Sequence, residues 1–422
     1  MTYTRTRLIQ SFFTRPGFAF SRVTFIILLF ASFLRSQTSP EDSVLLNQQI
    51  QDLIVQKQYA SAHLLMQDYL LQVGPKPYYV CWMVENGLQH YFRHQNFQIF
   101  YLKDEAIPEQ DSSRSIPVAR LRYPQRLLNS LLYQHPGYAR AYQLLGEYYL
   151  IQMEYLTSLE FPDTNRINNL EKLVFKYFTQ AEKLNYQSAR VNQWLGCYYR
   201  RMNQIDLAEK YFLRNIQEPY HDAVSYLNLA EISYQQKKYT SAFNYAMAAV
   251  KYFSPVEIYQ KYRARRLAAR SLLALGDDER FLQNIRQCLQ TIPDLQDAYI
   301  DLFKYYEDHG MGEQAEKVLK KMLLTNPYDR EGYSVLESYI LRQKNFYFGD
   351  TLFEEMLLKY ENWDEVLANI YWSKGNLAYY QGLKSEAEKF WEISRNYMRR
   401  YLNQDDPLFK QVGQVSPMPV NK

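Results

Sequence analysis

Three arginines in the middle of the chain are spaced so that a helix would place them on one face. Arg263, Arg266 and Arg270 follow an i, i+3, i+7 pattern, and residues at these separations share one side of an α-helix. A guanidinium group offers two parallel hydrogen bonds to one carboxylate. The pattern predicts a surface that binds an acidic segment or a carboxy-terminal carboxylate of another protein. A solvated arginine-rich face is the alternative.

Catalytic and cofactor motifs are missing from the sequence. It contains no nucleophile elbow, P-loop, HExxH or GxGxxG pattern. His90 and His94 are four residues apart on a predicted helix, a spacing that can place two imidazoles on one metal ion. The nearest acid, Glu85, has a poor spacing for a third ligand, so a polar helix end is favoured. We expect no catalytic residues, no cofactor and no metal; an enzyme with an unrecognised site is the alternative.

The composition favours helices packed on helices. The chain has 422 residues, of which only 14 are glycine and 16 are proline, whereas 40 are tyrosine. Scarce glycine argues against folds built on glycine turns, such as Rossmann domains, P-loop enzymes, jelly rolls and propellers. The length suits two or three domains or one long repeat array.

A repeat with a period of 34 residues decides the fold class. Val174, Ala208 and Ala242 are 34 residues apart; Phe281, Ala315, Gly349 and Ala387 continue the series, with wider steps of 39 and 38 beside two 34-residue steps. Four positions after each of these lies a core-type residue, so that the two stack on one helix face. These second residues are Phe178, Phe212, Ala246, Ile285, Leu319, Phe353 and Trp391.

A second helix is predicted upstream of each of these pairs. Its marks include Leu145-Gly146 with Tyr149 and Leu195-Gly196 with Tyr199. We expect the small residue to let two helices approach closely, and the aromatic residue three positions later to fill the gap beside it. The sequence therefore predicts two antiparallel helices per repeat.

These marks resemble the tetratricopeptide repeat (TPR) family, whose consensus is W-x2-L-G-x2-Y…A-x3-F…P. The best copies are 189–222 and 296–329, and the resemblance covers about 138–402. It implies an all-α fold, a right-handed α-solenoid of about eight helix-turn-helix units. Phe281 stands at the usual alanine position and Lys374 where a leucine is expected, so these two repeats are predicted to be distorted.

The predicted domain organisation follows from where this signal begins and ends. Residues 138–402 form the TPR solenoid, and 403–422 form a disordered tail. Residues 37–137 are divergent helical repeats, with helices at 78–93 and 122–134 and a polar loop at 103–118.

The resemblance also implies a binding groove. In this family, first-helix side chains at five repeat positions line the concave face. Carried onto this sequence, the partner-binding residues are Arg140, Arg190, Arg200, Arg201, Tyr234, Arg263, Arg266 and Arg270. The family's lysine–asparagine carboxylate clamp is not reproduced, so binding of chaperone tails is not carried over. A groove whose tyrosines stack on cell-wall glycan or a small ligand is the alternative.

The amino-terminal segment predicts export. Residues 1–36 contain five arginines and no lysine or acid, and the apolar run 23–34 spans only about 18 Å as a helix, less than a bilayer core of about 30 Å. This is the pattern of a signal peptide; an uncleaved membrane anchor and a buried helix of a cytosolic protein are the alternatives. The rest of the chain has 44 basic and 45 acidic residues, a net charge of −1, which disfavours a nucleic-acid partner.

Together these observations predict a non-catalytic scaffold of a bacterial cell envelope. We expect it to be exported, either periplasmic or anchored and facing the periplasm, and to hold other proteins of an envelope complex together. Membrane contact is expected only through the amino-terminal segment, if it is retained.

Overall fold

The structure is a computed structural model that describes residues 40–105, 116–217, 221–403 and 405–414. The predicted signal peptide or anchor at 1–36 lies outside these ranges, as do residues 106–115 of the predicted loop and 415–422 of the predicted tail. The chain forms two compact units, one ending at Val191 and the other beginning at Asn192. That the TPR solenoid extends over residues 138–402 stays a prediction.

Helices make up most of both units. The first unit contains α1 (Pro40–Val55), α2 (Tyr59–Val73), α3 (Pro77–Gln89), β1 (Arg93–Gln95), β2 (Ile99–Lys103), β3 (Val118–Arg122), α4 (Pro124–Gln134), α5 (Ala139–Thr157) and α6 (Thr164–Lys183). Helix α7 (Ala189–Arg201) crosses the division. The second unit continues with α8 (Ile205–Asn215), α9 (Ala223–Gln235), α10 (Tyr239–Tyr252), α11 (Ile258–Ala274), α12 (Asp278–Thr291), α13 (Gln296–Asp308), α14 (Gly312–Thr325), α15 (Arg330–Gln343), α16 (Phe346–Lys359), α17 (Asp364–Tyr380), α18 (Lys384–Met398) and α19 (Pro407–Gln411).

Neighbouring helices pack in pairs, most extensively α5 with α6, α9 with α10 and α17 with α18. The all-α fold and the TPR-like helix pairs predicted from the sequence are thus confirmed, apart from one small sheet. In the part of the chain that the structure describes, none of the helices combines the length and apolar character needed to cross a bilayer.

The predicted core positions of the repeat are buried. Val174, Ala208, Ala242, Ala315 and Ala387 have no exposed surface. Neither do most of the residues four positions later, namely Phe178, Phe212, Ala246, Ile285, Leu319 and Phe353, and Trp391 is 3% exposed. Phe281 is fully buried as well, in a cluster with Ala269 and Ala298, so small neighbours accommodate its ring.

The gap beside Gly146 and beside Gly196 is filled by the second helix of the pair and not by the tyrosine three positions on. A Cβ atom built at Gly196 would lie 2.6 Å from the Phe212 ring, so it is the second helix of the pair that fills the gap. Tyr199, expected to fill it, instead stacks on Tyr211 with ring centres 5.5 Å apart. The physical reason is the direction in which the side chains point. A residue three positions on lies one turn further along the same helix, whereas the partner helix faces the glycine directly.

A three-stranded antiparallel sheet interrupts the helices of the first unit, in the order β1-β2-β3. The helix predicted at 78–93 ends at Gln89, and the positive φ angles of Asn96 and Phe97, 49° and 57°, turn the chain between β1 and β2. Alternating burial places Phe100 and Leu102 of β2 in the core. The short strands were missed because their period-2 pattern covers only three to five residues each.

Part of the tail predicted to be disordered is ordered in the structure. Helix α19 begins after Asp406, whose side chain accepts a hydrogen bond from the Leu408 backbone N–H. Val412 is buried with Trp372 and Trp391, and Phe409 packs on the same cluster. The apolar face of the last helix pair is thereby covered, which is the physical reason that these residues fold.

Candidate functional site

Five of the eight predicted groove residues surround one cavity of about 300 Å³ in the second unit. Helices α7, α9 and α11 are the first helices of successive pairs, so the repeat itself places them side by side. The cavity is lined by Arg200 of α7, by Glu231, Tyr234 and Gln235 of α9, and by Tyr262, Arg263, Arg266, Leu267 and Arg270 of α11.

The sequence of α11 dictates which face meets the cavity. Ala264, Ala268 and Ala269 are completely buried and pack the helix closely on its neighbours. Arg263, Arg266 and Arg270 lie away from this alanine face and line the cavity. The shared face predicted for the three arginines is therefore present.

Glu231 connects two arginines from different helices. One of its carboxylate oxygens lies 2.6 Å from Nη1 of Arg200, and the other lies 2.9 Å from Nη2 of Arg263. Arg200 also donates to Oδ1 of Asn228 at 2.6 Å. Both guanidinium groups are thus held by the protein's own carboxylate, which fixes their positions at the cavity wall.

Arg266 is engaged still more completely by the next repeat. Its Nε donates to Oδ2 of Asp301 at 2.5 Å and its Nη2 donates to Oδ1 at 3.1 Å, the two-pronged geometry expected of arginine with a carboxylate. Asp297 lies 2.9 Å from Nη1. Burial disfavours the charge on Arg266, but the hydrogen bond and charge of Asp301 outweigh it, so the pKa of the guanidinium is raised.

Arg270 differs from the other cavity arginines. Its side chain is exposed, and its guanidinium carbon lies 5.1 Å from the centre of the Tyr234 ring. Within the described ranges, no ion pair and no hydrogen bond from the Arg270 guanidinium is seen. Four guanidinium groups thus face three carboxylates, and the positive charge in excess lies at Arg270.

The remaining predicted residues lie elsewhere. Arg201 is exposed on α7, 5.9 Å from the Tyr198 ring centre, and is not part of the cavity wall. In the first unit, Arg140 forms an ion pair with Glu85, and Arg190 is exposed. The charge of Arg190 counters the effect of burial, which raises the pKa of Glu147.

Sequence reasoning missed Asp297 and Asp301, the two acids that hold Arg266. Asp297 and Asp301 are four residues apart on α13, the same separation that marks a shared helix face. A search for acids on the first helix of the following repeat would have found both. Tyr262 and Leu267 were missed because their spacing in the sequence is typical of core residues.

The cysteines and histidines lie outside the lining of this cavity. Cys81 and Cys288 are buried free thiols, and burial raises the pKa of each to about 12. His90 follows the end of α3 and stacks on Tyr59, whereas His94 lies in β1. The predicted pair on one helix is wrong, because the helix ends before it. No cluster of three or more metal-ligating side chains occurs among the described residues.

The chain is similar to several solved structures at low sequence identity. No family model matches it, and no curated protein matches it. The APC/C hetero-tetramer Cut9–Hcn1 is 14% identical, with a TM-score of 0.37, over 72% of this chain and 57% of that chain. The chain thus spans little more than half of that relative.

Two further solved structures are similar over greater lengths. The human IFIT1 dimer with PPP-AAAA is 12% identical, with a TM-score of 0.31, over 80% of this chain and 79% of that chain. Yeast Tom70 is 12% identical, with a TM-score of 0.30, over 86% of this chain and 77% of that chain. The TPR-like fold rests on the chain's own helix pairs.

Proposed function

We propose that this chain is a non-catalytic protein-interaction scaffold whose cavity between α7, α9 and α11 binds an acidic segment, or the carboxy-terminal carboxylate, of a partner protein. The observation that carries the proposal is Arg270, an exposed guanidinium with no acidic partner among the described residues, at a wall lined by three further arginines.

The neighbouring ion pairs support this role by fixing the geometry. Glu231 holds Arg200 and Arg263, while Asp297 and Asp301 hold Arg266. Groups already held in place lose little conformational entropy when a ligand binds. A carboxylate then binds to Arg270, whose charge no acid of the cavity wall compensates, and the attraction weakens with salt.

Localisation of the protein to the bacterial cell envelope is the second part of the proposal. It rests on residues 1–36, with their arginines and short apolar run. The test is fractionation of cells that express the full chain or a version that begins at Gln37. The proposal expects the full chain in the envelope and the shortened chain in the cytoplasm; equal distribution of the two would overturn it.

Binding itself is tested with fluorescent octaglutamate and octaglutamine, measured by anisotropy against the full chain. We expect octaglutamate to bind and octaglutamine not to bind. Raising the salt from about 50 to 300 mM should weaken octaglutamate binding at least tenfold, since exposed charges are screened. Comparable binding of both peptides would contradict the proposal.

A further inference from the structure

A second cavity, of about 340 Å³, lies in the first unit along strand β3. Its size falls within the lower range of ligand sites. All five residues of β3, from Val118 to Arg122, line it. The other walls are formed by His63, Leu64 and Gln67 of α2, Met83 of α3 and Leu127 of α4.

The hydrogen bonds of the sheet show which edge of β3 is open. The Phe92 N–H donates to the Tyr101 carbonyl at 3.0 Å, so Tyr101 directs its backbone groups towards β1. Successive residues of an antiparallel strand face opposite neighbours. The residues on either side of Tyr101 therefore face β3, where their partners are Leu121 and Ala119.

Val118, Arg120 and Arg122 consequently direct their backbone groups away from β2. Their N–H groups donate to no other residue in the part of the chain that the structure describes. A row of such groups is a template on which a further strand can form.

His63 in the cavity wall leaves another polar atom unused. The side chain is 1% exposed, and Nδ1 has no hydrogen-bond partner. Burial lowers the pKa of His63 to about 4, although hydrogen bonding to the backbone of Arg120 and Met83 opposes this. The ring is therefore neutral at pH 7, and the buried Nδ1 is an acceptor that the protein itself does not satisfy.

The side chains of β3 define the chemistry of a strand beside it. Arg120 and Arg122 are exposed on one face, whereas Ala119 and Leu121 are buried on the other. Neither arginine forms an ion pair with a described residue. Opposite charges on adjacent strands attract, so the exposed face suits acids, and the buried face suits apolar residues.

The geometry points to β3 as a docking edge for an extended segment of a partner protein in which acidic and apolar residues alternate. The segment adds to the sheet through the backbone N–H groups of Arg120 and Arg122, since the Arg120 carbonyl already accepts a hydrogen bond from His63. Its acidic side chains face the two guanidinium groups, and its apolar side chains lie towards Leu64, Met83 and Leu127.

Peptides that differ only in their backbone test this docking mode. The probe is the labelled peptide acetyl-Val-Glu-Val-Glu-Val-amide, and its control is a copy N-methylated along the whole backbone. With the full chain we expect the control to bind at least tenfold more weakly. Bound peptide should slow hydrogen exchange at the Arg120 and Arg122 amides. Equal binding of both peptides, or displacement by inorganic phosphate without an exchange change, would overturn the proposal.

Charge reversal provides an independent test. The double variant Arg120→Glu/Arg122→Glu should lose the acidic peptide and gain acetyl-Val-Lys-Val-Lys-Val-amide, which also shows that it is folded. The matched control is Arg93→Glu/Arg126→Glu, whose arginines are exposed on β1 and α4 and which should bind as the natural chain does. Arg270→Glu should also leave this peptide bound, because the site differs from the cavity of the second unit. Unchanged preference after the reversal at 120 and 122 contradicts the inference.

Discussion

The guanidinium of Arg270 lies over the ring of Tyr234, 5.1 Å from its centre, and so joins α11 to α9 without a carboxylate. One helical turn earlier, Arg266 is held by two aspartates. Contact with a ring stabilises a cation but does not neutralise its charge. The cavity wall thus presents three arginines with compensated charge and one that retains its attraction for an acid.

Removal of the shared carboxylate should strengthen binding and weaken the fold. In Glu231→Gln, Arg200 and Arg263 lose their common partner, so octaglutamate affinity should rise severalfold. The free energy of unfolding should fall by about 1 kcal/mol, since the pairs are partly exposed. Anisotropy and urea denaturation measure the two effects.

The control for this variant is Glu313→Gln, which breaks an exposed pair with Lys317. It should change the free energy of unfolding by less than about 0.5 kcal/mol and leave the affinity unaltered. Weaker octaglutamate binding by Glu231→Gln would show that Glu231 positions the site more than it neutralises it.

The cavity shows how far sequence reasoning reaches. The spacing of Arg263, Arg266 and Arg270 was sufficient to place them on one face, because all three residues belong to the same helix. Their pairing with Asp297 and Glu231 depends on the offset between neighbouring helices. That offset is set by side-chain packing across repeats, which a period of 34 residues does not specify.

The close approach at Gly196 should be sensitive to a single methyl group. In Gly196→Ala the new Cβ would lie within 2.9 Å of three Phe212 ring atoms. Overpacking of this kind costs about 1–3 kcal/mol and outweighs the helix preference of alanine. We expect chemical denaturation to show a net loss of about 1 kcal/mol.

Gly137→Ala is the matched control, because no atom lies within 4 Å of the Cβ it would add. It should change the free energy of unfolding by no more than about 0.5 kcal/mol. Equal losses of stability at both glycines would show that the loss at Gly196 does not come from overlap of the new methyl group with Phe212.

Two of the three thiols should be unreactive in the folded protein. Burial raises the pKa of Cys81 and Cys288 to about 12, so almost no thiolate exists at pH 8. Cys197 is only partly buried. Alkylation with iodoacetamide, followed by mass spectrometry, should modify Cys197 first and the other two only after unfolding. Early modification of Cys81 would contradict its burial.

His63 should make the fold sensitive to acid. Burial lowers the pKa of His63 from 6.5 to about 4, so between these values the unfolded chain binds the proton and the folded chain does not. The free energy of unfolding should therefore fall as the pH is lowered through this window, by up to about 3 kcal/mol. Urea denaturation at pH 4.5, 5.5, 6.5 and 7.5 measures the slope.

His63→Leu should flatten this slope, whereas His135→Gln, at an exposed position, should preserve it. An unchanged slope in His63→Leu would assign the acid sensitivity to other groups.

The sheet and the ordered tail lay beyond sequence prediction for a related reason. Strand β2 has a buried pattern of only two residues, Phe100 and Leu102, and so short a pattern also fits a helix end or a loop. Val412 is ordered by a surface that Trp372 and Trp391 create together. Such a surface exists only after distant parts of the chain have packed.

The central claim is that Arg270 attracts an acidic partner, and charge reversal tests it most directly. Octaglutamate affinity is measured by anisotropy for the natural chain, for Arg270→Glu and for Arg286→Glu, which reverses an exposed arginine on α12 outside the cavity. All three should unfold at the same urea concentration, because neither arginine is buried. The account predicts a loss of at least tenfold for Arg270→Glu and less than twofold for Arg286→Glu; equal losses would contradict it.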